Sequence, residues 1–234
     1  MRLLSVFLVF LAACASAADP APQSMAATTA PVPASGGSIS YLALGDSYTI
    51  GQGVASPAER WPNQLAVLAR AQGIDLADPD VIARTGWTTS DLLDALDAAP
   101  PRTTYGLVSL LIGVNDQYDG FPVETFRAGF RKLLGRATAY AGGRAQRVVV
   151  LSIPDWGRAP FAASRDQAYI ARQIDQFNTV AQAECQQAGI AFVNITPLTR
   201  NAGPTDFVAD RLHYSGAGMA AWAQQALGTV KQLR

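Results

Sequence analysis

Apolar and polar positions fall in blocks along this chain, and the spacing within the blocks switches repeatedly between that of a strand and that of a helix. An apolar stretch at residues 40–46, with Leu42 and Leu44, reads as a buried strand ending in a sharp turn at Gly45-Asp46-Ser47. Residues 58–72 then bring Leu65, Leu68 and Ala69 onto one helical face. A short strand is expected at 80–84, and a helix at 90–98 with Leu92, Leu93 and Leu96. Residues 106–112 are a continuous apolar run, as expected of a strand covered on both faces. The next helix, 123–140, repeats Phe126, Phe130, Leu133, Leu134 and Ala137 at helical steps. A valine-rich strand follows at 147–153, then a long helix at 166–188 with Ile170, Ile174, Phe177 and Ala181 in step. Residues 190–195 form a fifth strand, and a closing helix at 216–232 buries Met219, Trp222, Ala226, Leu227 and Val230.

Strands alternating with helices imply an α/β domain over residues 39–234: a five-stranded parallel sheet between two helical layers, with the flavodoxin-like strand order 2-1-3-4-5. The residues before it follow another pattern. Met1 to Ala13 carry one arginine and an apolar run too short to span a bilayer, which suits the apolar region of a signal peptide within residues 1–17. Leu11-Ala12-Ala13-Cys14 resembles the bacterial lipobox, in which Cys14 is lipidated and becomes the mature N-terminus. The competing reading is cleavage after Ala15-Ser16-Ala17. Both imply export from a bacterial cytoplasm, the first to a membrane-anchored lipoprotein of the periplasm or outer membrane, the second to a secreted protein. Residues 18–38, rich in Ala, Pro, Ser and Thr, lack an apolar pattern to offset their ordering entropy and read as a disordered tether of roughly 25 Å root-mean-square span.

Composition narrows the chemistry. A formal net charge of zero gives no basic footprint for nucleic acid. Of the two cysteines, Cys14 lies in the leader, which leaves Cys185 without a partner in the domain. His213 is the only histidine, so a His-rich metal site is excluded and any imidazole chemistry must use that residue.

Parallel α/β sheets gather their sites at the carboxyl ends of the strands. The first expected strand is followed by Gly45-Asp46-Ser47, the second by Thr85-Gly86-Trp87-Thr88, the third by Gly113-Val114-Asn115-Asp116, and the fifth, after a longer loop, by Asp210-Arg211-Leu212-His213. These are the parts of an acyl-transfer site. A serine hydroxyl is a weak nucleophile that needs a base, here His213. The imidazole needs a partner to hold its tautomer, and Asp210 lies in the same loop. A developing oxyanion needs preorganised donors, available from the Ser47 and Gly86 N–H groups and the Asn115 amide.

In order and context, these four blocks (GDS, TGWT, GVND and DRLH) resemble those of the SGNH hydrolases, also called GDSL esterases/lipases. The resemblance covers the domain from about residue 40 to the C-terminus. It implies a flavodoxin-like fold, a triad of Ser47, His213 and Asp210, an oxyanion hole of Ser47, Gly86 and Asn115, and hydrolysis of a small acyl ester or lipid, as in lysophospholipases and thioesterases, with no cofactor and no metal. Deacetylation of an envelope polysaccharide is the alternative within the family; a non-catalytic lipid- or glycan-binding lipoprotein is the alternative outside it. Val114 replaces a threonine common in the family. Thr49 stands where an α/β-hydrolase elbow has its second glycine, and Gly51-Gln52-Gly53 lacks the third glycine of a dinucleotide fingerprint.

Other residues have plainer readings. Asp46 and Asp116 bond loop backbone, Ser215 caps the last helix, and Cys185 is a buried thiol. Arg127, Arg131, Lys132, Arg136, Arg144 and Arg147 form a solvated basic face, or alternatively a contact for anionic lipid headgroups. Trp87, Tyr118, Phe121, Trp156 and Phe161 lie in loops on the Ser47 edge. They are either loop packing or a wall for the substrate, with Trp87, Tyr118 and Trp156 as the substrate-binding candidates.

Overall fold

The computed structural model describes residues 37–101 and 103–233; the expected leader, Cys14 and most of the expected tether lie outside them. Five strands, β1 (Tyr41–Gly45), β2 (Asp80–Ala83), β3 (Leu107–Leu111), β4 (Val148–Leu151) and β5 (Ala191–Val193), form one parallel sheet in the order β2-β1-β3-β4-β5. The central strands β1, β3 and β4 are buried throughout, which accounts for their unbroken apolar runs. Of the helices, α1 (Ser47–Ile50), α2 (Trp61–Ala71), α3 (Thr89–Ala98), α4 (Val114–Tyr118) and α5 (Val123–Tyr140) precede β4. After it come α6 (Gln167–Ala188), α7 (Thr196–Arg200) and α8 (Gly216–Val230). Helix α2 packs on α8, while α3 and α6 pack on α5, and these two groups cover opposite faces of the sheet.

Strand order reverses at β1, whose neighbours are β2 and β3. The loops leaving these adjacent strands open a crevice at their carboxyl ends, where α/β sheets bind ligands. Helix α5 matches its expected bounds and α3 gains one residue, while the five strands and α2 are shorter than the periodicity implied. Helix α2 begins only at Trp61, because Pro62 is suited to a first helical turn, and a 3₁₀ turn at Pro57–Glu59 precedes it. Strand β5 stops at Val193 because the Ile195 and Thr196 N–H groups donate to Ser152 Oγ instead of extending the ladder. The short helices α4 and α7 have too few residues to leave a periodic signal.

The basic set is more than a solvated face. Glu184 on α6 is buried, and it accepts from Arg131 Nε at 2.7 Å and Arg127 Nη1 at 3.2 Å. Arg136 pairs with Asp97, and Arg144 and Arg147 donate to backbone carbonyls. Cys185 is buried, and burial pushes its thiol up to about 12. Ser215 caps α8, accepting from the Gly218 N–H at 3.2 Å.

Candidate active site

Ser47 is the first residue of α1, directly after the β1 turn. A Cβ on Gly45 would collide with the Thr49 side chain and the Leu111 carbonyl, so glycine is what allows the strand to turn this tightly against β3. Asp46 caps the helix, its Oδ1 accepting from the Tyr48 N–H at 2.9 Å. The Asp46 carbonyl accepts from the Thr49 and Ile50 N–H groups. The Ser47 N–H, at the start of the same helix, has no acceptor among the described residues and remains available to a ligand.

The loop after α7 brings His213 to this serine. Phe207 and Tyr214 form an antiparallel bridge, and the Val208 N–H donates to the His213 carbonyl at 2.9 Å. Between them, Arg211 adopts a left-handed φ of 64°, unusual for a residue with a side chain, and this tightens the turn. Asp210 then folds back on its own loop. Its Oδ1 accepts from the Leu212 and His213 N–H groups, each at 2.9 Å, and its Oδ2 meets His213 Nδ1 at 2.6 Å. On the other side of the ring, Nε2 lies 2.9 Å from Ser47 Oγ. Tyr48 holds the loop from below, its ring centroid 5.7 Å from His213 and 5.8 Å from Tyr214. Trp222 of α8 packs edge-on against Tyr214, anchoring the loop to the closing helix.

Gly86 and Asn115 enter from the two strands flanking β1. Gly86 has φ 81° with open space where a side chain would be, and its N–H has no acceptor among the described residues. Asn115, on α4, donates one amide N–H to the Trp87 carbonyl at 2.8 Å. That bond ties the loops after β2 and β3 together and leaves the second amide N–H free. Asp116 buttresses the same junction, accepting from Thr89 N at 2.9 Å and Thr89 Oγ1 at 2.5 Å.

The carboxyls differ in charge behaviour. Burial pushes Asp46 up to about 8, and nearby Asp116 adds to this against the Tyr48 hydrogen bond. Burial raises Asp116 too, against its bonds from Thr89. For Asp210, partial burial opposes the charge, but the hydrogen bonds from the His213 ring and from two backbone N–H groups together outweigh it and hold the carboxyl below its ordinary range. Asp210 is therefore ionised at neutral pH, facing the imidazole.

The aromatic candidates divide. Trp156 is buried, its Nε1–H donating to Gln117 Oε1 at 2.7 Å, so most of the ring is loop packing with one edge on a cleft. Tyr118 is exposed and stands edge-on to Trp156. Trp87 is partly buried against the core. Phe121 is also exposed, but it lines a separate hollow with Thr89 and Leu93. The sequence patterns did not single out Arg165, whose guanidinium lies near the Tyr118, Trp156 and Phe161 rings, because a lone arginine before a helix carries no periodic or motif signal.

The fold has many solved counterparts. TesA superposes with a TM-score of 0.67 at 21% identity, over 83% of this chain and 99% of that one. An acetyl xylan esterase variant from Geobacillus stearothermophilus gives 0.64 at 19% identity, over 82% and 94%. A lipase/acylhydrolase from Enterococcus faecalis gives 0.60 at 22% identity, over 83% and 96%. No curated protein matches the chain significantly. The model of the GDSL-like lipase/acylhydrolase family matches residues 43–221, from inside β1 to inside α8, and so takes in Ser47, Gly86, Asn115, Asp210 and His213. This chain belongs to the GDSL-like lipase/acylhydrolase family, a family of carboxylic-ester hydrolases.

Proposed function

We propose that the chain hydrolyses acyl esters with Ser47 as nucleophile, His213 as general base and acid, and Asp210 as the group that orients the ring. The supporting observation is the continuous pair of hydrogen bonds Asp210–His213–Ser47, at 2.6 and 2.9 Å. With Nδ1–H donated to the Asp210 carboxylate, the Nε2 lone pair faces the Ser47 hydroxyl. Ser47 Oγ attacks the ester carbonyl as its proton passes to Nε2. The imidazolium, stabilised by Asp210, then protonates the leaving alkoxide. Water enters, gives a proton to Nε2 and attacks the acyl-enzyme carbonyl; the bond from the acyl carbon to Ser47 Oγ then breaks as Nε2 returns the proton to Oγ, releasing the acid. The oxyanion formed at each stage is received by the Ser47 N–H, the Gly86 N–H and the free N–H of the Asn115 amide. Tyr118, with the edge of Trp156 and the Trp87 loop, forms the wall against which the rest of the substrate lies.

A fluorophosphonate probe and a p-nitrophenyl ester panel of rising chain length test this together. Wild-type protein is expected to be labelled, and Ser47→Ala to remain folded and unlabelled with turnover down by about a million-fold. A folded Ser47→Ala protein with wild-type turnover would defeat the reading. Deacetylation of a sugar ester is the second reading. It draws on the fold likeness to acetyl xylan esterase and on the exposed rings of Tyr118 and Phe161, and predicts activity confined to the acetyl member of the panel. A non-catalytic binding role predicts no labelling at all.

Export belongs to the same proposal, on the strength of the apolar leader and the Leu11-Ala12-Ala13-Cys14 stretch. Metabolic labelling with palmitate in a bacterial host is expected to mark the wild type but not Cys14→Ser. Equal labelling of both would exclude lipid attachment at Cys14.

A further inference from the structure

At the Tyr118 end of α4 is a cleft of about 450 Å³ containing a cation that the chemistry above does not use. The Arg165 guanidinium carbon lies 5.5 Å from the Tyr118 ring centroid, 5.5 Å from that of Trp156 and 5.2 Å from that of Phe161. Such contacts hold a guanidinium against aromatic rings without consuming its N–H donors. Whereas Arg127, Arg131 and Arg200 are bound by carboxylates, Arg165 has no carboxylate partner among the described residues. It donates to Tyr118 Oη at 3.3 Å, which leaves most of its N–H groups uncommitted.

The rest of the cleft is also rich in donors. Trp156 Nε1–H donates to Gln117 Oε1, Gln117 Nε2 to Gln173 Oε1, and Gln173 Nε2 to Tyr169 Oη. The side-chain carbonyls are thereby occupied, while the Tyr118 and Tyr169 hydroxyl protons remain to be given. Asp166 contributes the opposing charge, but its Oδ1 is engaged by the Tyr169 N–H at the start of α6. Two elements link the cleft to the reaction centre. Helix α4 carries both Asn115 and Tyr118, less than one helical turn apart. The Phe161 N–H donates to the Arg211 carbonyl at 2.9 Å, fastening the segment whose ring packs on Arg165 to the His213 loop.

We infer that Arg165 is a specificity-determining residue, and that this enzyme prefers esters bearing an oxyanion, carboxylate or phosphate, on the part of the molecule away from the scissile carbonyl. The inference rests on the ester-hydrolase reading for its kinetics, but not for its binding. The rings order the guanidinium in advance, so a bidentate oxyanion meets a fork already in place, with the Tyr169 hydroxyl as a further donor.

The test uses two matched ester pairs on the full chain. Mono-p-nitrophenyl glutarate against its methyl ester places a carboxylate on the acyl side. Acetylglycerol phosphate against acetylglycerol places a phosphate on the alcohol side. In the wild type, kcat/KM is expected to favour the charged member of at least one pair. Arg165→Gln should lower that charged-to-neutral ratio by about tenfold to a hundredfold, mainly through KM, and Arg165→Lys should lower it less. Equal turnover of both members in both pairs, or a ratio unchanged in Arg165→Gln, would overturn the inference. Calorimetric titration of Ser47→Ala protein with glutarate and with glycerol phosphate gives a readout independent of catalysis. Binding of either that disappears in Ser47→Ala/Arg165→Gln supports the oxyanion site even if no ester is turned over, and binding of neither counts against it. If neutral and charged esters alike go unhydrolysed while an anion binds, the hydrolase reading fails and the site stands.

Discussion

Ser47 inherits its geometry from the residue before it. Asp46 is fully buried and its carboxyl accepts only one hydrogen bond among the described residues, so its second oxygen is better left protonated than charged. The folded state holds that proton up to about pH 8, whereas an unfolded chain releases it near pH 4. Asp46 therefore contributes its full stability below pH 4 and loses it as pH rises through about 8. Asp46→Asn keeps an oxygen for the Tyr48 N–H but does not titrate. Calorimetric melting from pH 5 to pH 9 is expected to show the variant gaining on the wild type as pH rises, by an amount on the order of several kcal/mol at the alkaline end. A gap that stays constant with pH would mean that Asp46 is not the titrating group. Its structural task was legible from an aspartate between a strand and a serine; its proton was not, because its burial exists only once the domain has folded around it.

Among the elements, the α5–α6 contact shows how a polar group can join two helices. Glu184 sits on the apolar side of α6, where periodicity alone would expect a hydrophobe, and Arg127 and Arg131, one turn apart on α5, reach over to it. The hydrogen bonds from these arginines overcome the effect of burial and hold the Glu184 carboxyl below its usual range. The bridge thus stabilises the protein above the ordinary glutamate pKa and is lost as pH falls through the lowered value. Glu184→Gln should cost about 1–3 kcal/mol at neutral pH by urea denaturation, with the two proteins converging in acid. Equal stability at neutral pH would show that the two arginines gain as much from water. The pairing was hidden in the sequence because residues on two helices, separated by a strand, give no local signal of meeting.

For the molecule as a whole, Ser47 and His213 lie at opposite ends of the domain sequence, and α8 brings the second to the first by packing on α2. The Asp210–His213–Ser47 arrangement should therefore exist only in the fully folded domain. In a urea titration, loss of fluorophosphonate labelling is expected to coincide with loss of the far-ultraviolet helical signal. Labelling that disappears at clearly lower urea would show instead that the His213 loop opens as a separate unit.

The sequence by itself determined the alternation of strands and helices, the burial of the central strands and the four blocks ending at the sheet's carboxyl edge. Those features are written in periods of two and 3.6 residues and in turn chemistry, which are properties of neighbouring residues. Tertiary structure alone decided which remote groups complete one another: the Asn115 amide on the Trp87 carbonyl, Arg165 among three rings, and Glu184 beneath two arginines. Each is a contact between segments far apart in the chain, and its energy depends on distances and burial that exist only after the sheet and its helical layers have packed.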